Sequence, residues 1–248
     1  MFDLKTVPKV IVKEISYKDI DISLSSDRPR TYVLFNKGIQ WMVYDQYTNK
    51  EIKELYSSYD LAYGDVIISG FGFGILACWL ASKPEVTSVT VLEMSQSVYD
   101  IFLMNNKLPD KVKVIITDAS EYKTDRSFDC LFLDHYEQNT IDWVFKDMQK
   151  IVNNLPNHKI FWVWSLEEKY AELVFGIKHE TLDKTLLWES CINFYSKYNE
   201  FKNNFLTIKT FPDLNRDKLN EYIYTYYDRL GYSTSLSPID SPTKLEIL

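Results

Sequence analysis

Gly64-Asp65-Val66-Ile67-Ile68-Ser69-Gly70-Phe71-Gly72-Phe73-Gly74-Ile75, followed by Leu76-Ala77-Cys78-Trp79-Leu80-Ala81, reads as a strand, a glycine turn and the start of a helix. Val66, Ile67 and Ile68 form an apolar, β-branched run, the mark of a strand covered on both faces. Gly70, Gly72 and Gly74 let the backbone turn tightly and come close to a ligand, and the next helix aims its first N–H groups at the same place. Such a site suits an anionic or polar group. A glycine turn that serves only the crossover is the competing reading.

An acid follows at the spacing that nucleotide-binding crossovers use. The apolar strand Val89-Thr90-Val91-Leu92 ends at Glu93, and a carboxylate about 20 residues past the glycines accepts hydrogen bonds from ribose hydroxyls in such units. The plainer alternative is that Glu93 caps a helix starting near Ser95. On the ligand reading, removing Glu93 weakens binding and leaves the unliganded protein little changed in stability. On the same reading, a side chain at Gly72 blocks the ligand and spares the fold.

The remaining chain alternates strand and helix. Ser95 to Asn106 is expected helical, with Val98, Ile101 and Phe102 on one side; Val112–Ile116 is a third strand, ending at Thr117-Asp118-Ala119. A fourth strand, Cys130–Leu133, ends at Asp134-His135-Tyr136-Glu137; Ile141, Val144, Phe145, Met148, Ile151 and Val152 trace a helical face, and Ile160–Trp164 is a fifth strand. Units of this length call for a parallel sheet with helices on both faces. Glu93, Asp118 and Asp134 then fall at one sheet edge beside the glycines, although each alone could be a cap or a loop acid.

Before this core, Val10-Ile11-Val12 and Ile20-Asp21-Ile22 are short strand candidates. Tyr32–Phe35 and Ile39–Tyr44 flank Asn36-Lys37-Gly38, a hairpin turn. Glu51 to Tyr59 spaces Ile52, Leu55, Tyr56 and Tyr59 as one buried helical face. After the core, Ser165-Leu166-Glu167-Glu168 is a capping box for a helix ending near Gly176, and residues 181–204 are helical in tendency. Phe205–Ile208 is a late strand candidate, Leu219 to Leu230 carries a tyrosine-rich stripe better read as core than as a substrate face, and Ser233 to Pro242 is a loose tail. The division expected is 1–50 as a β-hairpin extension, 51–175 as a Rossmann-like cofactor-binding core and 176–248 as a helical part with a tail.

With 248 residues, 46% of them hydrophobic, the chain can bury a large core. Its net charge of −7 disfavours a phosphate backbone as partner. No apolar run is long enough for a membrane span, and Met1-Phe2-Asp3-Leu4-Lys5 lacks the pattern of a signal peptide. Cys78, Cys130 and Cys191 read as reduced core residues of a cytoplasmic protein, and His135, His158 and His179 share no metal-ligand spacing with them. A homo-oligomer is left open.

Together the Val66–Gly74 strand and turn, Glu93, Asp118-Ala119 and the strand end at Asp134 resemble a class I S-adenosylmethionine-dependent methyltransferase over roughly residues 60–165. The resemblance implies an α/β, Rossmann-like sandwich with a mostly parallel sheet. It implies S-adenosylmethionine as cofactor, held by Gly70, Phe71, Gly72 and Gly74 at the methionine portion, Glu93 and Met94 at the ribose, and Asp118 and Ala119 at the adenine. Asp134 would bind the cofactor's amino group or, with His135, act as the base for an acceptor.

Gly38-Ile39-Gln40, Asp45-Gln46 and Glu51 are further similar to the segment that precedes the core of spermidine synthases. That likeness implies substrate contacts by Gln40, Tyr136 and Glu137. Two departures count against aminopropyl transfer: Phe73 stands where that family has an acid in the glycine turn, and Asp134-His135-Tyr136-Glu137-Gln138 replaces its Asp-x-x-Asp-Pro. The Asn/Asp-Pro-Pro-Tyr/Phe signature of amino-group methyltransferases is absent too. The function implied is methyl transfer to a small-molecule or protein acceptor. The alternatives are an aminopropyltransferase-like or other S-adenosylmethionine-cleaving enzyme, and a non-catalytic binding module.

Overall fold

The chain builds two sheets, and the strands from residue 64 onward carry the longer buried apolar runs, as in Val66-Ile67-Ile68 and Cys130–Leu133. The computed structural model describes residues 6–46, 50–135, 141–155 and 157–164. The first sheet is an antiparallel meander of β1 (Ile15–Tyr17), β2 (Ile20–Leu24), β3 (Thr31–Asn36) and β4 (Ile39–Asp45) in that spatial order. Lys37 (φ 49°) and Gly38 (φ 79°) both take left-handed conformations at the β3–β4 turn, the tight hairpin geometry whose twist suits the strands.

Val10-Ile11-Val12, expected as a strand, is not one. Val10 and Val12 are buried, but Ile11 pairs with a side chain and not with a neighbouring strand. Asn106 Oδ1 accepts from the Ile11 N–H at 2.8 Å, and Asn106 Nδ2 donates to the Ile11 carbonyl at 2.9 Å. That amide satisfies both backbone groups a ladder would have used.

The second sheet contains β5 (Gly64–Ser69), β6 (Val86–Glu93), β7 (Val112–Ile116), β8 (Phe128–Leu133) and β9 (His158–Val163), all pairs parallel, in the order β7-β6-β5-β8-β9. Helices α1 (Lys50–Leu61), α2 (Ile75–Ser82), α3 (Gln96–Asn105) and α4 (Ile141–Asn154) connect the strands. From β5 the chain steps outward through α2 and α3 to β7, whereas from β8 it steps the other way through α4 to β9. Right-handed crossovers therefore put α2 and α3 on one face of the sheet and α4 on the other. Sidedness reverses between β5 and β8, and it is there that open α/β sheets leave a crevice.

The core runs through the wholly buried Ile68, Trp79, Leu80, Val91 and Phe132. Trp79 of α2 stacks on Tyr59 of α1, with ring centroids 4.5 Å apart. The first sheet docks on the α3 side: Tyr17 Oη and Lys18 Nζ both donate to Asp100 Oδ2, at 3.3 and 3.2 Å. Among the described residues no helix is long and apolar enough to cross a membrane. The expectations for residues 165–248, and those for Tyr136 and Glu137, lie outside the described residues.

Asn106→Ala removes both bonds to Ile11. Because these bonds are solvent-exposed, the expected loss in urea denaturation is about 1 kcal/mol, with faster proteolytic cleavage between residues 8 and 14. Unchanged stability and cleavage would mean that burial of Val10 and Val12 alone holds the segment.

Candidate functional site

At the carboxyl edge of the parallel sheet, β5 gives way to a turn in which Gly70, Gly72 and Gly74 have φ of 90°, 51° and 75°. This left-handed region costs any residue with a Cβ. Each glycine also makes room for part of the protein. A Cβ at Gly70 would lie 2.4 Å from the Asp134 carbonyl oxygen, one at Gly72 2.5 Å from Met42 Sδ, and one at Gly74 2.7 Å from the Phe102 ring. The tightness of the turn is thus a packing requirement in its own right. A side chain at Gly72 would displace the end of Met42 from β4 and sit at a strained φ of 51°, so its effect would not be confined to a ligand.

Phe71 and Phe73 point inward. Phe71 sits edge-on to Tyr99 and Phe102, with centroids at 5.7 and 5.0 Å, and Phe73 packs near Tyr44 of β4 at 6.0 Å.

Glu93 ends β6 and is only 5% exposed. Its Oε2 accepts from the Phe71 N–H at 2.9 Å and its Oε1 from the Ser95 N–H at 2.7 Å. Ser95 itself caps α3, accepting from the Val98 N–H at 3.3 Å. Glu93 therefore joins the glycine turn, the end of β6 and the start of α3, and it serves the fold directly. The expectation that its removal would leave the unliganded protein unaffected is corrected on this ground. The two carboxylate oxygens together have acceptor capacity beyond these bonds. Burial raises the Glu93 carboxyl above its ordinary value, and the Ser95, Phe71 and Met94 N–H groups, with the nearby His135, oppose that shift without cancelling it.

The other predicted acids stand close in the chain order of the edge. Thr117 N–H donates to the Glu93 carbonyl at 2.8 Å, and Asp118 Oδ1 accepts from the Ser120 N–H at 2.8 Å. Asp118 is exposed and Ala119 buried. Met94 is 67% exposed, and Ile116, the strand partner of Glu93, is exposed as well. At β8, the Asp134 N–H donates to the Ser69 carbonyl at 2.9 Å.

His135 is held at both ring nitrogens: Nδ1 lies 2.5 Å from Ser69 Oγ and Nε2 2.9 Å from Asp147 Oδ2. To take a proton from an acceptor, one of those bonds would have to open. Gln40 is exposed on β4, separated from Met42 by Trp41, which is left over between the Leu34–Met42 and Phe35–Gln40 pairs.

Sequence reading missed Ser69, Met42 and Asp147. Ser69 had a signal in being the one polar residue to close a buried apolar run. Asp147 had another, since it stands one helical turn before the buried Ile151 on α4.

With this strand order and a glycine turn at the reversal, the chain has a Rossmann-like, doubly wound α/β fold. No family model and no curated protein matches the sequence. Among solved structures, a "probable spermidine synthase" from Corynebacterium glutamicum is 14% identical, with a TM-score of 0.40 over 57% of this chain and 61% of that one. Spermidine synthase from Thermotoga maritima is 17% identical, with a TM-score of 0.40 over 55% and 50% of the two chains. DhpI in its complex with SAH is 19% identical, with a TM-score of 0.35 over 42% and 50%. The chain thus spans between half and about three-fifths of the length of these structures. Likeness this slight carries no weight for activity, and the fold assignment rests on the strand order.

The raised carboxyl of Glu93 has a consequence for stability. Between its ordinary value of 4.5 and its higher folded value, the folded protein binds more protons than the unfolded chain, so the contribution of Glu93 to stability falls as pH rises through that window. In urea denaturation, wild type should lose stability relative to Glu93→Gln as pH is raised from 4.5 to 7. A relative gain would show that the two N–H bonds outweigh burial.

Proposed function

We propose that this chain binds S-adenosylmethionine at the β5–β8 reversal and transfers its methyl group to a small-molecule or protein acceptor. The observation that carries the reading is the convergence of three strand ends, Glu93, Thr117-Asp118 and Asp134, beside the glycine turn at the point where the sheet changes sidedness, the usual ligand crevice of such sheets. The surroundings fit the cofactor's parts. Exposed Met94 and Ile116 offer apolar surface to a base between Glu93 and Asp118, and the lone pairs left on Glu93 suit ribose hydroxyls. Because Glu93 is almost closed over, the hydroxyls must reach it along the turn.

The sulfonium supplies an activated methyl group, so the protein has to hold an acceptor in line with it and, where needed, take the acceptor's proton. Asp134 is the residue we assign to proton removal or to the cofactor's amino group. His135 supports that corner, as its two bonds indicate.

Aminopropyl transfer is the second reading, and Phe73 tells against it: the residue is buried and turned to Tyr44, with no carboxylate at that position for an aminopropyl amine. The thiols of Cys78 and Cys130 are free and buried, each pushed up to about 11 by burial. Such inert thiols agree with the reducing, cytoplasmic setting proposed for the chain.

Calorimetric titration of wild type and Asp118→Asn with S-adenosylmethionine, S-adenosylhomocysteine and methylthioadenosine tests the proposal. Asparagine keeps an acceptor for the Ser120 N–H, so melting without ligand should not change, whereas affinity should fall about tenfold, or ~1.4 kcal/mol. Equal affinity in the two proteins, or no wild-type binding at millimolar cofactor, would defeat the reading. Formation of S-adenosylhomocysteine with a methylated acceptor separates methyl transfer from aminopropyl transfer, which releases methylthioadenosine.

A further inference from the structure

Ser69, His135 and Asp147 form a continuous hydroxyl–imidazole–carboxylate chain, in which Ser69 and Asp147 have so far been given no part of their own. Ser69 closes β5 and is 1% exposed; His135 follows β8; Asp147 belongs to α4. A single imidazole therefore ties both strands of the reversal to the helix that leaves the second one. A carboxylate can only accept, so Nε2 donates to Asp147, while Nδ1 pairs with the Ser69 hydroxyl, which can serve as donor or acceptor. One ring orientation satisfies both ends.

The arrangement is no nucleophilic triad. In those the serine meets Nε2 and the carboxylate Nδ1, the reverse of what stands here, and Ser69 is too deeply buried to attack a substrate. Its geometry suits holding. The space in front of Gly70 is bounded by the Asp134 carbonyl oxygen and by His135 Cβ, at 2.4 and 3.1 Å from where a Cβ would stand. A shift of His135 is therefore a shift of the corner that seats the glycine turn. Glu93, the other support of that turn, lies within electrostatic reach of the same imidazole.

We infer that Ser69 and Asp147 are positioning residues that act through His135 to set the Asp134–His135 corner against the glycine turn, and so set ligand affinity at this site. The affinity part rests on the S-adenosylmethionine reading; the positioning part does not.

A double-mutant cycle tests both. Ser69→Ala, Asp147→Ala and the double variant are compared in the wild-type and His135→Ala backgrounds, with S-adenosylmethionine titration and urea denaturation as readouts. Each single substitution should weaken binding by about tenfold. The double should be no weaker than the poorer single, because both break one chain, and neither should matter further once His135 is alanine. Asp147→Asn, which keeps a carbonyl acceptor for Nε2–H, should recover most of the affinity. Additive effects, or effects that persist without His135, would overturn the inference, since residues that only stabilise their own elements behave in that way. If wild type fails to bind, the methyltransferase reading falls, and the urea cycle decides the positioning claim: coupling between Ser69 and Asp147 that vanishes with His135→Ala upholds it, and additivity overturns it.

Discussion

The carboxylate of Glu93, buried and bonded to the Phe71 and Ser95 N–H groups, holds three pieces of chain at one point: the glycine turn, the end of β6 and the start of α3. Hydrogen bonds to a charged group contribute roughly 1.5–3 kcal/mol each, while taking the charge out of water costs several. The raised carboxyl indicates that burial prevails. Removing the carboxylate would still leave the Phe71 and Ser95 N–H groups without their acceptor, so what it maintains is the backbone geometry of the turn.

Around that point the constraints come from packing. Gly70, Gly72 and Gly74 admit the Asp134 carbonyl, the Met42 thioether and the Phe102 ring respectively. The turn is thereby located from the β8 side, from the first sheet and from α3 at once. The first sheet is in turn fixed to α3 through Asp100, and the segment before that sheet is fixed to the end of α3 through Asn106. The antiparallel sheet and the parallel one are therefore parts of a single support for the carboxyl edge.

Much of this was legible in the sequence because it depends on periodicity and turn chemistry. Short apolar runs located β5 to β9, and Lys37-Gly38 located the hairpin. Ser95 with Val98, Ile101 and Phe102 located α3. What the sequence hid depends on contacts between distant residues. Val10–Val12 looks like a strand by composition, but an asparagine amide from the end of α3 took its backbone bonds. Glu93 looked like a residue waiting for a ligand or a helix, and it is bonded to both the turn and the residue that caps the helix. Asp147, an acid one helical turn before the buried Ile151, gained its meaning only when His135 stood opposite.

Amide chemical-shift mapping on addition of S-adenosylmethionine tests the proposed ligand site at the β5–β8 reversal most directly. Shifts should be confined to the Gly70–Gly74 turn, Glu93–Ser95, Thr117–Ser120 and the Asp134–His135 corner. Phe71 and Ser95 should move together, since their N–H groups share the Glu93 carboxylate. Shifts gathered instead on β1 and β2, or a spectrum that does not change at millimolar cofactor, would contradict it.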